Sequence, residues 1–314
     1  MAFRPVLSTC VLATCLSMLA ACGHPRELPD TQIAGLIIDP ELDEISGIAA
    51  SRRRDDLLWA IDDSGNPANL YALSRRGRRL GTFAIEGTDK RDWEDIADFE
   101  LDGKPYLMIA DTGDNGGIRK TLALHVFAEP ADPSDGGRLK PEWSIEFRWP
   151  DGARDCEAVV VDPERNEVLL ITKKRQPPQL YTLPLRGGDG KRSAPRVLTA
   201  KLAGTLAGVP QASAKERRDN PRMARLRSQV TAADISPQRD AIAVLTYDNL
   251  LVYPRETKQS WAQALTHPPL VVPMTLLPQG EAVAFSHAGQ GLFATGEFSP
   301  APILYLPYER NLPP

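Results

Sequence analysis

Five short runs in this sequence can be laid over one another: Ser46-Gly-Ile-Ala, Glu94-Asp-Ile-Ala, Glu157-Ala-Val-Val, Thr231-Ala-Ala-Asp and Glu281-Ala-Val-Ala. Each opens on a polar residue and continues small and apolar, as a crowded inner strand must. Six to eight residues after its start, each run reaches a cluster of turn formers, among them Arg53-Arg-Asp-Asp, Asp102-Gly-Lys and Pro163-Glu-Arg-Asn. Such clusters read as hairpin connections. A second apolar strand follows in every unit, from Leu57-Leu-Trp-Ala-Ile in the first to Leu292-Phe-Ala-Thr in the last. A third carries an apolar–Tyr pair at Leu70-Tyr71, Leu180-Tyr181, Val252-Tyr253 and Leu304-Tyr305, with 122–127 in its place in the second unit. A fourth precedes the next unit at 80–85, 143–149, 196–202 and 270–277. No other feature constrains the chain as strongly, because a unit that is apolar on both faces must bury itself against copies of itself.

Four strands per unit, with units 48 to 74 residues apart, is the arithmetic of an all-β propeller of five four-stranded blades. Two separate sandwich domains would not call for five units of matched internal spacing. The last unit lacks a fourth strand, and the run at 32–38 can supply it, so that the chain ends pair and no edge stays open. A count of six blades stays open if 205–229 hides strands. That segment is basic, polar and interrupted by Pro210 and Pro221, so it reads as an insertion loop in a single domain spanning 32–314. The 28 Pro and 23 Gly leave little room for long helices.

The N-terminus reads as a targeting segment. Arg4 is its only charge, residues 11–21 are apolar and small, and the stretch is too short to cross a bilayer, which takes roughly 20 apolar residues. It ends Leu19-Ala20-Ala21-Cys22, which resembles the bacterial lipobox. That resemblance implies a signal peptide at 1–21, acylation (palmitate-type chains) on Cys22 and a short tether to residue 31. Gly23 after the cysteine implies sorting to the outer membrane, with the body facing the periplasm or the cell surface. Cys10 and Cys15 leave with the leader, so Cys156 is the one free thiol and no intramolecular disulfide can form; it reads as a small buried hydrophobe rather than a nucleophile. With 37 Lys and Arg against 41 Asp and Glu, the chain is mildly acidic, which argues against nucleic acid as a partner. A monomer is expected.

Blade geometry then places side chains. The start of an inner strand and the end of the strand hairpinned to it lie on the same face. Strand starts contribute Ser46, Glu94, Glu157, Thr231 and Glu281; second-strand ends contribute Asp62, Asp111, Lys173, Tyr247 and Glu297. Glu94, Glu157, Glu281, Asp62 and Asp111 are therefore expected at one mouth of the channel. Carboxylates so close raise one another's pKa, and Ca²⁺, which accepts six to eight oxygens in flexible geometry, relieves the repulsion. The other reading has them capping backbone N–H groups or pairing with Lys173, Arg119 and Arg154. Asp-x-Glu recurs at Asp92-Trp93-Glu94 and Asp155-Cys156-Glu157. The loop 111–117 reads as a tight turn or, with Arg119, an anion cradle, and the basic stretch 215–227 should emerge on the acidic face. The sequence holds no nucleophile elbow, zincin helix, P-loop or dinucleotide fingerprint.

The runs Ile45-Ser-Gly-Ile-Ala, Leu58-Trp-Ala-Ile-Asp-Asp-Ser-Gly, Asp92-Trp-Glu-Asp-Ile-Ala and Asp111-Thr-Gly-Asp-Asn resemble exported bacterial propellers related to the phytase-like esterase and SdiA-regulated families. In those families comparable strand starts line a calcium-associated channel. Gly47, Asp95 and Ala158 depart from the family pattern, and blades four and five carry little of it. Two functions follow as expectations. One is a ligand-binding or docking platform for a small anionic ligand or an envelope protein. The other is a Ca²⁺-dependent phosphoester or ester hydrolase in which Lys173 and Arg119 stabilise developing negative charge. The anchor is tested first: Cys22→Ser should move the protein from the membrane to the soluble fraction with an unchanged melting temperature, and unchanged membrane fractionation refutes lipidation.

Overall fold

A computed structural model describes residues 31–134, 136–186, 197–277 and 279–308; the expected signal peptide at 1–21, Cys22 and the expected tether up to residue 30 lie outside them. The chain opens with β1 (Gln32–Ile37) and then builds blade one from β2 (Ile45–Ala50), β3 (Leu57–Asp62), β4 (Asn69–Ser74) and β5 (Arg79–Ile85). Blade two holds β6 (Trp93–Leu101), β7 (Lys104–Asp111), β8 (Leu122–Ala128) and, after the short β9 (Gly137–Leu139), β10 (Trp143–Arg148). Blade three holds β11 (Cys156–Asp162), β12 (Glu167–Thr172), β13 (Gln179–Pro184) and, after β14 (Leu198–Thr199), β15 (Lys201–Thr205). Two short helices, α1 (Ala214–Asp219) and α2 (Pro221–Leu226), precede blade four, which is β16 (Val230–Ile235), β17 (Ala241–Thr246), β18 (Asn249–Pro254) and, after α3 (Trp261–Ala264), β19 (Leu270–Pro273). Blade five is β20 (Gly280–Phe285), β21 (Gly291–Gly296) and β22 (Ala301–Pro307).

Each sheet is antiparallel through its first four strands, and the fourth strand of blade five is β1, which pairs with β22 from Gln32↔Tyr305 to Ile37↔Ala301. The protein is a five-bladed β-propeller closed by its own N-terminal strand. The inner strands β2, β6, β11, β16 and β20 touch in a ring. They and their hairpin partners β3, β12, β17 and β21 are buried along most of their length, so they read as continuous apolar runs rather than alternating ones. The core divides into five clusters, one in each gap between neighbouring blades.

Two details depart from the sequence reading. The fourth strand of blade three runs over Lys201–Thr205 rather than 196–202, because Leu198–Thr199 joins the outer edge of blade two instead, parallel to β10. Likewise β9, from blade two, runs parallel to β5 on the edge of blade one. Blades two and three thus cover the open edge of the blade before them, and α3 does the same for β15. The segment after Thr205 carries α1 and α2 and no strand among its described residues. Ser213 caps α1 in a reciprocal box with Glu216, and the Asn220 side chain accepts the amide of Met223 to cap α2.

Closure makes a sharp test. Ile37 is fully buried in the blade five–one core, whereas its neighbour Ile38 is 70% exposed. Ile37→Ala should lower unfolding free energy by about 2–4 kcal/mol in urea titrations, against less than about 0.5 kcal/mol for Ile38→Ala.

Candidate functional site

The same backbone irregularity occurs at the start of every inner strand. The pairing register skips one residue between Ile45 and Gly47, Trp93 and Asp95, Cys156 and Ala158, Val230 and Ala232, and Gly280 and Ala282. The skipped residues are Ser46, Glu94, Glu157, Thr231 and Glu281, the five polar residues that open the repeats. A bulge re-aims a side chain while the flanking residues keep their places in the sheet. Here Ile45, Trp93, Cys156 and Val230 stay wholly buried in the blade cores.

Four of the five bulge residues, Ser46, Glu94, Glu157 and Glu281, line one cavity of about 320 Å³ at the channel mouth. Thr231 does not; its hydroxyl donates to the Gly280 carbonyl at 2.7 Å and clips blade four to blade five. The cavity is completed by residues just past the second strands, Asp63, Lys173, Tyr247 and Glu297, by Asn115 and Lys174, and by Leu226 and Gln229 from the end of the helical insertion.

Asp62 and Asp111 are not among the lining residues, and the register explains why. Asp62, Asp111, Thr172, Thr246 and Gly296 are equivalent, each opposite the residue before its bulge. Lys173, Tyr247 and Glu297 come one residue later, so their counterparts in blades one and two are Asp63 and Thr112. The expected set slipped by one residue in those blades, and one residue reverses a side chain's face. Asp62 is buried with neither carboxylate oxygen hydrogen-bonded, and burial pushes its pKa up to about 7 despite the nearby Lys90 ammonium. Asp111 accepts from the Arg119 guanidinium at 2.6 Å and from the amides of Arg91 and Asp92 at 3.0 and 3.3 Å. Arg119 is thereby occupied as a strut and is not a cavity residue. Thr112 donates its hydroxyl to the Cys156 carbonyl at 2.7 Å.

The loop at 111–117 is a braced turn. Asp114 accepts the amides of Ile118 and Arg119 at 2.8 and 3.0 Å, and its own amide donates to Asp155 at 2.8 Å. Gly113 permits this packing, since a Cβ there would collide with the carboxylates of Glu94 and Asp92.

Among the described residues, two groups of three carboxylates have oxygens within 4.8 Å of one another: Glu94, Asp155 and Glu157, all buried, and Asp63, Asp92 and Glu94, more open. The repeated Asp-x-Glu is the signal that marks Asp92 and Asp155, and the side chains of both Asp-x-Glu pairs converge here. One Glu157 oxygen pairs with the Lys173 ammonium; the other, Oε2, is buried with no hydrogen-bond partner, as is the Ser46 hydroxyl. Asp155 faces the Lys174 ammonium at 2.8 Å. Lys173 also lies 5.3 Å from the Tyr247 ring centre.

These groups distort one another's titration. Burial, and then the neighbouring Glu157 charge, hold Glu94 well above the usual carboxylate range. Glu157 is likewise high through burial, although Lys173 opposes the shift. Burial raises Asp92 to about 6, with the Asp63 charge adding to it. Burial raises Glu281 to about 8 even though Lys173 and a hydrogen bond from Tyr247 favour its anion. Burial disfavours the Lys173 charge, but Glu157 and Glu281 outweigh it and keep the ammonium.

No family model matches the chain, and no curated protein matches it. Among solved structures, the crystal structure of a nidogen/laminin complex is similar over 80% of this chain and 72% of that chain, at 14% identity and a TM-score of 0.43.

The raised carboxylates set a pH dependence. Unfolded, they release protons near pH 4–4.5; folded, they hold them to higher pH. Between those limits the unfolded state binds fewer protons, so stability falls as pH rises. In the presence of a chelator, denaturation at pH 5 and pH 8 should show a loss on the order of a few kcal/mol toward pH 8. Glu281→Gln should flatten that slope; a stability that rises from pH 5 to 8 contradicts the assignment.

Proposed function

We propose that the channel mouth is a divalent-cation centre and that the propeller is a binding platform which uses it to hold a small anionic ligand or an anionic group of an envelope partner. The buried, unpartnered Oε2 of Glu157, a residue that shares a carboxylate cluster with Glu94 and Asp155, is the observation that carries this reading. An anionic oxygen left bare in a protein interior costs free energy that a cation recovers. Glu94, Asp155 and Glu157 would hold the ion, with Asp63 and Asp92 beside them. An all-oxygen donor set from separate blades suits Ca²⁺. A bound cation supplies a positive centre for the ligand's anionic group.

The chain's own residues do the rest. Lys173 stays an ammonium against Glu157 and adds positive charge to the cavity wall. Tyr247 holds Glu281 by its hydroxyl, and Leu226 and Gln229 close one side. In this proposal the protein is a lipoprotein held at the outer membrane through Cys22, its mouth open to the periplasm or the cell surface.

A hydrolase is the second reading, favoured by Glu281. A carboxyl with a pKa of about 8 beside the Lys173–Glu157 pair is a proton donor at neutral pH. Turnover of a p-nitrophenyl phosphate or acetate that Ca²⁺ stimulates and Glu281→Gln abolishes supports hydrolysis; none with either substrate leaves the platform.

Metal analysis and melting curves in Ca²⁺, Mg²⁺ or a chelator test the centre itself. At a hundredfold excess over its dissociation constant, the cation should add about 2.7 kcal/mol of stability. Glu157→Gln should lose most of that increment. Melting that is indifferent to all three conditions, with no metal co-purifying, refutes the centre.

A further inference from the structure

We propose that the outer strand of blade five, on its face turned away from blade one and beside blade one's β4–β5 turn, is a membrane-docking face that takes an anionic phospholipid surface. Three of the nine large apolar side chains exposed among the described residues sit together here: Ile33 (66%), Leu36 (45%) and Ile38 (70%). They share one side of the closing strand by construction. Ile37 points into the core, so Leu36 and Ile38 point out. The register of β1 against β22 skips Ala34, which returns Ile33 to the face of Leu36. Without that bulge Ile33 would point inward.

Arginines flank the strip. The turn between β4 and β5 reads Arg75-Arg76-Gly-Arg78-Arg79 and packs directly on β1. The Leu36 amide donates to the Arg76 carbonyl at 3.2 Å, and a Cβ on Gly35 would collide with the Arg76 backbone. Arg79 is neutralised by Asp39 and Glu41, and the Arg75 guanidinium lies over the Phe293 ring at 5.2 Å. Arg76 and Arg78 are exposed, and no ion pair engages either among the described residues. Apolar side chains projecting beside unpaired arginines are what an interface of acyl chains and phosphate headgroups binds.

Chain length agrees. Nine residues, 23–31, separate Cys22 from β1, a reach of about 30–35 Å at full extension. An acylated Cys22 therefore keeps this face within that distance of the bilayer. With the face on the lipid, the channel axis lies along the membrane plane and the acidic mouth stays open to solvent. The inference takes its tether from the lipidation of Cys22 and takes nothing from the cation centre.

The test uses the Cys22→Ser protein, which has no anchor, in flotation at low ionic strength with excess vesicles; a salt wash of cell membranes releases the same protein, because the face alone holds it reversibly. Phosphatidylglycerol–phosphatidylethanolamine vesicles should carry it up the gradient, phosphatidylcholine vesicles should not, and added salt should weaken the binding. Arg76→Ala with Arg78→Ala should lower the partition about thirtyfold, at roughly one headgroup attraction per arginine. Ile33→Ser with Leu36→Ser and Ile38→Ser should abolish it. Melting temperature and Ca²⁺ response must stay as in the parent, which separates a failed face from a misfolded blade or a failed cation centre. No flotation with either vesicle overturns the proposal. So does concentration-dependent self-association that the same substitutions remove, which would assign the strip to a second copy of the chain.

Discussion

Everything in this molecule follows from sheets that are apolar on both faces. A blade such as β11–β12–β13–β15 cannot leave either face in water, so it packs between two others, and the packing has no end until the last blade meets the first. Closure falls to β1 on β22, one antiparallel pairing of six residues with seven. The inner strands then crowd around the axis, which explains Gly47, Ala158, Ala232 and Ala282 at matched positions. Asp95 occupies the fifth such position. Its carboxylate accepts the amides of Val159 and Ala233 at 2.8 and 3.4 Å and so ties three blades at the axis. Asp234 ties blade four to blade five through the Phe285 amide at 2.6 Å.

Closure also creates the electrostatic problem at the mouth. Four of the five bulges aim polar side chains at one opening, three of them glutamates. Burial in a low dielectric strengthens every repulsion among them. One glutamate is answered inside the protein, since Lys173 takes one oxygen of Glu157. Tyr247 answers Glu281. Lys174 and the Asp114 amide answer Asp155, and what is left over is the second oxygen of Glu157 beside Glu94. Removing one partner from such a cluster leaves an uncompensated buried charge, so the arrangement is sensitive to single substitutions.

The repeat made the blade count, the closing strand and the shared face of Glu94, Glu157 and Glu281 legible in the sequence, because four strands of matched order leave few ways to stack. The second-strand ends were harder. In blades three to five, Lys173, Tyr247 and Glu297 follow a threonine or a glycine, and their distinct chemistry marks them. In blades one and two two polar residues stand in succession, Asp62-Asp63 and Asp111-Thr112, and composition gives no reason to choose the second. The choice rests on a one-residue register, which only the paired strands reveal. Asp155 and Asp92 carried a signal in their shared Asp-x-Glu, but not a position.

The sequence by itself determined the architecture, since apolar period, turn chemistry and repeat spacing are local properties that add up to one way of burying five sheets. Tertiary structure decided which carboxylates face one another, that Arg119 braces Asp111 instead of lining the cavity, and that Leu198–Thr199 serves the neighbouring blade. Those outcomes depend on bulges, strand twist and the approach of residues more than 40 positions apart, such as Glu94 and Glu157. A strand's pattern says which residues are buried; only the packed ring says against what.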